Sequence, residues 1–238
     1  NDAETLASYV GKQYPVYDIN KLYLDAFPQI STPSGQRAPA MNNAIDESLN
    51  KGSLIFNYSG HGGEIGLGHE RFLQIADINT WNNYDKLTVF ITATCEFTRY
   101  DDPKRTSAGE LSFLNAGGGA IALFTTTRAT YASSNLALNM AIYRNNLFEK
   151  EDGEYPCFGD IIRRSKVLGG NNDKKFVLIG DPASKMNYPD YKAHTTKINS
   201  KAIDKNNPDT LRALSKVHIQ GEITDDSGHL LDNYNGTL

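Results

Sequence analysis

An α/β layer fold with a mostly parallel sheet follows from three features of this 238-residue sequence. Residues 53–59 (SLIFNYS) and 87–94 (LTVFITAT) are short, rich in β-branched and aromatic residues, and apolar in the manner of strands covered on both faces. Residues 119–125 (GAIALFT) repeat the style after the turn signal Gly117-Gly118. Helix-like stretches separate these runs, and strands alternating with helices pack as layers, with right-handed crossovers.

In chain order, residues 2–12 (DAETLASYVGK) read as a helix with acidic residues near its start, where the dipole favours them. Residues 30–39 hold turn formers and read as a surface loop. Residues 40–51 (AMNNAIDESLNK) read as a second helix ahead of a strand. In residues 134–149, Leu136, Met140, Tyr143 and Leu147 fall at helical spacing, with Ser134 or Asn135 able to cap the start. A further helix is expected over 158–168, with Ile161, Ile162 and Val167, ended by Gly169-Gly170. From Asn187 the composition turns polar. Residues 188–210, with Pro189 and Pro208, read as a linker between a domain over 1–187 and a terminal element over 211–238. In that element residues 216–224 alternate like a strand and 225–228 (DDSG) signal a turn. It is either a hairpin docked on the main domain or the start of a truncated β-sandwich.

Composition excludes several classes. With 24 Lys+Arg against 28 Asp+Glu the net charge is −4, so the basic excess of a dedicated nucleic-acid binder is missing. No apolar run is long enough for a membrane-spanning helix. Cys95 and Cys157 are too few for a disulfide framework or a cysteine-rich zinc site. The sequence begins at Asn1 without an initiator Met and reads as a fragment or processed form.

The sharpest chemical feature is a pair of strand ends. The first run leads into Gly60-His61-Gly62-Gly63 and the second into Cys95-Glu96. In an open parallel sheet, reactive groups collect where strands end at their carboxyl side. If the two strands are neighbours, an imidazole and a thiol share one edge, and the thiol needs such a base because thiolate is the nucleophile. The flanking glycines admit a substrate backbone, and the amides of Gly62 and Cys95 can face a developing oxyanion. This suits acyl transfer. The alternative is a small buried Cys at a strand end beside an ordinary glycine turn. A papain-like arrangement is excluded, because His precedes Cys.

At these residues the sequence resembles the gingipain-type cysteine peptidases, which have a caspase-like fold. The likeness rests on four blocks in order: residues 58–64 (YSGHGGE), 93–95 (ATC), 125–133 (TTTRATYAS) and 176–183 (FVLIGDPA), and it spans about residues 1–187. Residues 60–68 and 101–110 look most like the sortase-type members that serve type IX secretion. The resemblance implies a three-layer α/β domain and a thioester mechanism, with Cys95 as nucleophile and His61 as general base and acid. It further implies an oxyanion pocket from the Gly62 and Cys95 amides. Its substrates would be secreted proteins carrying C-terminal sorting domains, and the acceptor either water or an amine of surface lipopolysaccharide. Other type IX components would be partners, no nucleic acid would be, and the location would be the outer surface of a Gram-negative bacterium. A plain gingipain-type endopeptidase and a catalytically silent scaffold of the secretion machinery remain alternatives. Tyr131 stands where the family has an aromatic pocket wall, with Thr126 and Thr127 beside it; an ordinary loop aromatic is the other reading. Asp2 lines up with an acidic pocket residue, against a helix-capping role. The acid that orients the histidine lies upstream of this sequence in the family.

No cofactor is expected. Asp101, Asp102 and Glu110 could hold a structural calcium or form a solvated loop. His69 with Glu64, Glu70 and Asp77 matches no metal-ligand spacing. Cys157 reads as packing, and the glycines at 63–68 and 117–119 do not follow a nucleotide-binding order.

Overall fold

The structure, a computed structural model, describes residues 2–145, 147–166, 170–204, 206 and 210–235. It divides into two compact units, Asn1–Met186 and Asn187–Leu238. The first contains, in chain order, α1 (Asp2–Gln13), β1 (Ile30–Thr32), β2 (Gly35–Arg37), α2 (Pro39–Lys51), β3 (Ile55–Ser59), β4 (Gly62–Gly63), β5 (Gly66–Leu67), β6 (Leu73–Gln74) and α3 (Ile75–Ile78). There follow β7 (Thr88–Ala93), α4 (Ala108–Leu114), β8 (Ala120–Thr126), α5 (Ala132–Arg144), α6 (Phe158–Ser165) and β9 (Phe176–Ile179).

The central sheet runs β3-β7-β8-β9, with the first three strands parallel and β9 antiparallel to β8. Every residue of β7 is buried, which is why its sequence is continuously apolar or β-branched instead of alternating. On one face, Met41, Ile45 and Leu49, spaced four apart along α2, pack with Phe90 and Leu123 and with Ala108 of α4. Truncating Phe90, fully buried in that cluster, to Ala is worth about 3–5 kcal/mol. On the other face α1, α5 and α6 lie against β3, β7 and β9, and Leu138 meets Ala93 and Phe176. The result is the expected three-layer α/β unit with a mostly parallel sheet.

Three local differences have physical causes. The expected loop at 30–39 closes into the β1–β2 hairpin, where Gly35 takes φ 106°, a conformation only glycine adopts easily. The helix α4 escapes periodicity because it has seven residues, yet Ser107 and Glu110 form a reciprocal capping box at its start. The glycine-rich stretch after His61 folds into the small sheet β4-β5-β6. The helix expected over 158–168 ends at Ser165, and residues 167–169 lie outside the described part.

The second unit corrects the linker assignment. Residues 188–210 include β10 (Tyr191–Ile198) and β11 (Lys201–Ala202), which form a sheet in the order β11-β10-β12 with β12 (Ile219–Asp225). Most of β10 is exposed on both faces, so its side chains carry no alternation for the sequence to reveal; backbone pairing defines it. Pro208 lies outside the described residues. No described helix is long and apolar enough to cross a membrane.

Candidate active site

The site is built where β3 and β7 end together. Ser59 pairs with Ala93, and the Gly60 amide still donates to the Ala93 carbonyl at 3.4 Å. His61 and Cys95 therefore leave the sheet from neighbouring strands, whose axes lie about 4.8 Å apart in such a pair.

His61 is exposed and its backbone is pinned: its carbonyl accepts from the Tyr58 hydroxyl at 2.7 Å and from the Gly68 amide at 2.8 Å. Burial pushes the Tyr58 phenol well above its usual range, with the Glu70 charge adding to the effect, so the hydroxyl keeps the proton it donates. The Gly68-to-His61 bond also fixes the register of the β4–β5 hairpin. Gly62 and Leu67 become a non-hydrogen-bonded pair, which turns the Gly62 amide out of the hairpin. The His61 ring lies against His69, with centroids 4.8 Å apart and planes at 50°.

Cys95 is half-buried at a sharp turn, since Glu96 adopts φ 52°. Its Sγ accepts from the Thr130 amide at 3.4 Å and can donate to the Thr130 carbonyl at 3.7 Å. Among the described residues no hydrogen bond joins the thiol to the imidazole: the sulfur faces Thr130 and the ring faces His69. The preceding Thr94 carbonyl is held from two sides, by Thr126 Oγ1 at 2.7 Å and Thr130 Oγ1 at 2.8 Å. Thr94 Oγ1 is buried without a partner among the described residues, and a Cβ added to Gly62 would come within 2.6 Å of it. The absence of a side chain at Gly62 thus lets the glycine turn of His61 lie close against the residue before Cys95.

The other expected site residues separate. Thr126 is fully buried, and its hydroxyl supports the thiol's strand end by donating to the Thr94 carbonyl. Thr127 is also buried and bonds the Lys175 carbonyl. Tyr131 is 70% exposed, directly after the residue that touches the sulfur, and Lys175 Nζ lies 5.2 Å from its ring centre. Asn172 clasps the Tyr131 backbone by both its amide and its carbonyl. Asp2 sits in the first turn of α1, with no ion pair or hydrogen bond to these residues among those described.

A chain of charges ties the loops around the site. The Glu64 carboxylate accepts from Arg99 at 2.8 Å and reaches Arg105 at 3.4 Å. Asp101 pairs with Arg128 and lies 3.9 Å from Arg99. The Arg128 hydrogen bond holds the Asp101 carboxyl below the usual carboxylate range. These pairs link the loop after His61, the segment after Cys95 and the turn before Thr130. Sequence reasoning missed Arg99 and Arg105, whose role no local pattern announces. The carboxylates considered for calcium do not converge: Asp101 engages Arg128, and Glu110 caps α4. Among the described residues no group of three His, Cys, Asp or Glu side chains could hold a metal ion.

The family model that matches this chain is peptidase family C25, over residues 1–187. Among solved structures, the chain resembles the Arg-specific cysteine proteinase gingipain R (RgpB), with TM-score 0.61 and 18% identity over 82% of this chain. It spans 45% of that relative's length. A complex of the pro- and mature domains of Porphyromonas gingivalis RgpB gives TM-score 0.61 at 16% identity, covering 82% of this chain and 46% of that one. A structure described as a protease gives 0.53 at 15% identity, covering 77% of this chain and 48% of that one. No curated protein matches. At these identities the structural likeness establishes the fold, and the caspase-like three-layer expectation holds.

Proposed function

The chain belongs to peptidase family C25, and from that premise we propose that it is a cysteine peptidase acting through a Cys95 thioester. The observation that supports this reading is the parallel register of β3 and β7, which ends with Ser59 beside Ala93, so that the segments carrying His61 and Cys95 leave the sheet from neighbouring strands. His61 takes the thiol proton on a ring nitrogen, and the thiolate attacks the scissile carbonyl. The oxyanion is met by the Cys95 amide and the outward Gly62 amide. The imidazolium then gives its proton to the leaving amine as the C–N bond breaks, leaving an acyl thioester. Water, or an amine, attacks that thioester; His61 accepts the proton of the attacking group and returns it to the departing sulfur. For the first step the thiol rotates away from Thr130, and catalytic contacts that tighten only with substrate bound are common.

The substrate class follows from the resemblance of residues 60–68 and 101–110 to PorU-type sortases. In this reading the protein works at the outer surface of a Gram-negative bacterium with other type IX secretion components. It removes C-terminal sorting domains from secreted cargo and passes the acyl group to a lipopolysaccharide amine. Cargo released solely as the free acid, with lipopolysaccharide present, would reduce the proposal to a hydrolysing endopeptidase. The turning of the Cys95 thiol toward Thr130 favours a second reading, a silent scaffold module. Alkylation by a thiol-directed inhibitor at near-neutral pH separates the two. A working dyad labels Cys95 ahead of Cys157; equally slow labelling supports the scaffold.

A further inference from the structure

A cavity of about 310 Å³ opens beside His61, walled by His61, His69, Arg71, Leu73 and Gln74 and floored by glycine backbone. Its polar walls carry several donors, the Arg71 guanidinium foremost. Two imidazoles lie 4.8 Å apart, and among the described residues the Arg71 guanidinium pairs with no carboxylate. Nearby acids are engaged elsewhere or stand outside the walls. Glu64 is held by Arg99 and Arg105, Asp77 accepts from the Gln74 amide at 2.7 Å, and Glu70, whose charge acts on Tyr58, does not line the cavity. A partly enclosed space with a free guanidinium and no answering anion suits a carboxylate, which that planar fork binds with two parallel hydrogen bonds.

The sheet order decides which part of a substrate reaches it. Along the edge, His61 follows β3, Cys95 follows β7, and the Thr130–Tyr131 turn follows β8. The cavity and Tyr131 therefore flank the sulfur on opposite sides. A general acid must stand next to the leaving nitrogen, so the side walled by His61 receives the leaving segment and the Tyr131 side receives the acyl segment.

We propose that the His61–His69–Arg71 cavity is the leaving-side subsite and selects a substrate bearing an Asp or Glu side chain just after the cut. This assignment of sides rests on the peptidase reading above; the recognition of a carboxylate does not.

Two measurements separate those layers. In the first, Glu-Gly-amide and Gln-Gly-amide are titrated into the Cys95→Ala protein while the imidazole resonances of His61 and His69 are followed by NMR. The acidic dipeptide should move both signals and bind roughly fivefold tighter or more. Arg71→Gln should erase that difference, and Arg71→Lys should keep part of it. Equal binding of the two dipeptides, or shifts unaffected by Arg71→Gln, overturns the subsite. In the second, the unmodified protein cleaves paired peptides with Glu or Gln after the scissile bond, and the kcat/KM ratio should favour Glu and collapse in Arg71→Gln. Turnover without that preference overturns the subsite. No turnover of any peptide, with NMR discrimination intact, overturns the peptidase reading and leaves a carboxylate-binding cavity.

Discussion

Thr130 holds Cys95 by its backbone: its amide donates to the sulfur at 3.4 Å and its carbonyl lies 3.7 Å from it, while its hydroxyl grips the carbonyl of the residue before. The thiol is thus parked against the turn after β8, one strand away from the imidazole that would activate it. A thiol given two backbone contacts is oriented at little cost and released by a rotation about one bond.

Replacing Cys95 by Ser or Ala removes the nucleophile. Peptide hydrolysis should fall by about three orders of magnitude or more, with the melting temperature nearly unchanged. Cys157→Ser, whose sulfur meets only the Asp160 carboxylate at 3.5 Å among the described residues, should leave turnover intact. Parallel assays of the two variants decide the point, and equal losses would sink the assignment.

Gly62→Ala places a Cβ 2.6 Å from Thr94 Oγ1 and 3.2 Å from the Gly66 carbonyl. Something must shift, and the nearest movable parts are the His61 turn and the end of β7. We expect a destabilisation of roughly 1–3 kcal/mol by denaturant titration and a loss of kcat larger than that of Gly63→Ala, whose Cβ meets nothing within 4 Å.

Thr126→Val deletes a buried hydroxyl while keeping its shape. The Thr94 carbonyl retains its bond from Thr130, so the cost should be about 1 kcal/mol. Thr126→Val combined with Thr130→Val leaves that carbonyl with neither hydroxyl, and the sum of the single effects should be exceeded. A double-mutant cycle reading strict additivity would contradict this coupling.

Alkaline pH should loosen the domain through the buried Tyr143 and the half-buried Tyr58. Burial raises Tyr58 and Tyr143 above the ordinary value of 10.0, so each stays neutral in the folded state where the unfolded chain would ionise. Their stabilising contribution is complete below that ordinary value and is lost as pH rises toward the folded values. Tyr143→Phe should flatten this alkaline limb, measured as melting temperature against pH. Tyr58→Phe should do the same and also free the His61 carbonyl from one of its two donors, lowering turnover several-fold at neutral pH.

On the acid side the Asp101–Arg128 pair works in reverse. The carboxyl is held low by the guanidinium, so its contribution is present above the usual carboxylate value and fades as pH falls through the lowered one. Both partners are solvent-exposed and the effect is screened. Arg128→Gln should therefore narrow the stable range slightly at the acid end, and high salt should mimic it.

Much of this molecule is legible in its sequence because burial leaves a one-dimensional trace. Residues 88–93 read as a strand since both their faces are covered, and Met41, Ile45 and Leu49 read as a helix stripe since one face is. Where burial is slight the trace vanishes: β10, exposed on both faces, reads as a linker until its partner β12 is seen. The short helix α4 shows itself only through Ser107 and Glu110.

The sequence alone determined that His61 and Cys95 follow the ends of two strands, because strand ends are marked by local composition; that β3 is a half-buried edge strand and β7 a fully buried one was for the fold to decide. Only the tertiary structure decided that these strands are neighbours, that the thiol meets Thr130, that Thr126 is a buried support, and that His69 and Arg71 share a cavity with His61. Each of these depends on contacts between residues brought together by strand pairing and hairpin closure, and such contacts are a property of the folded chain in three dimensions.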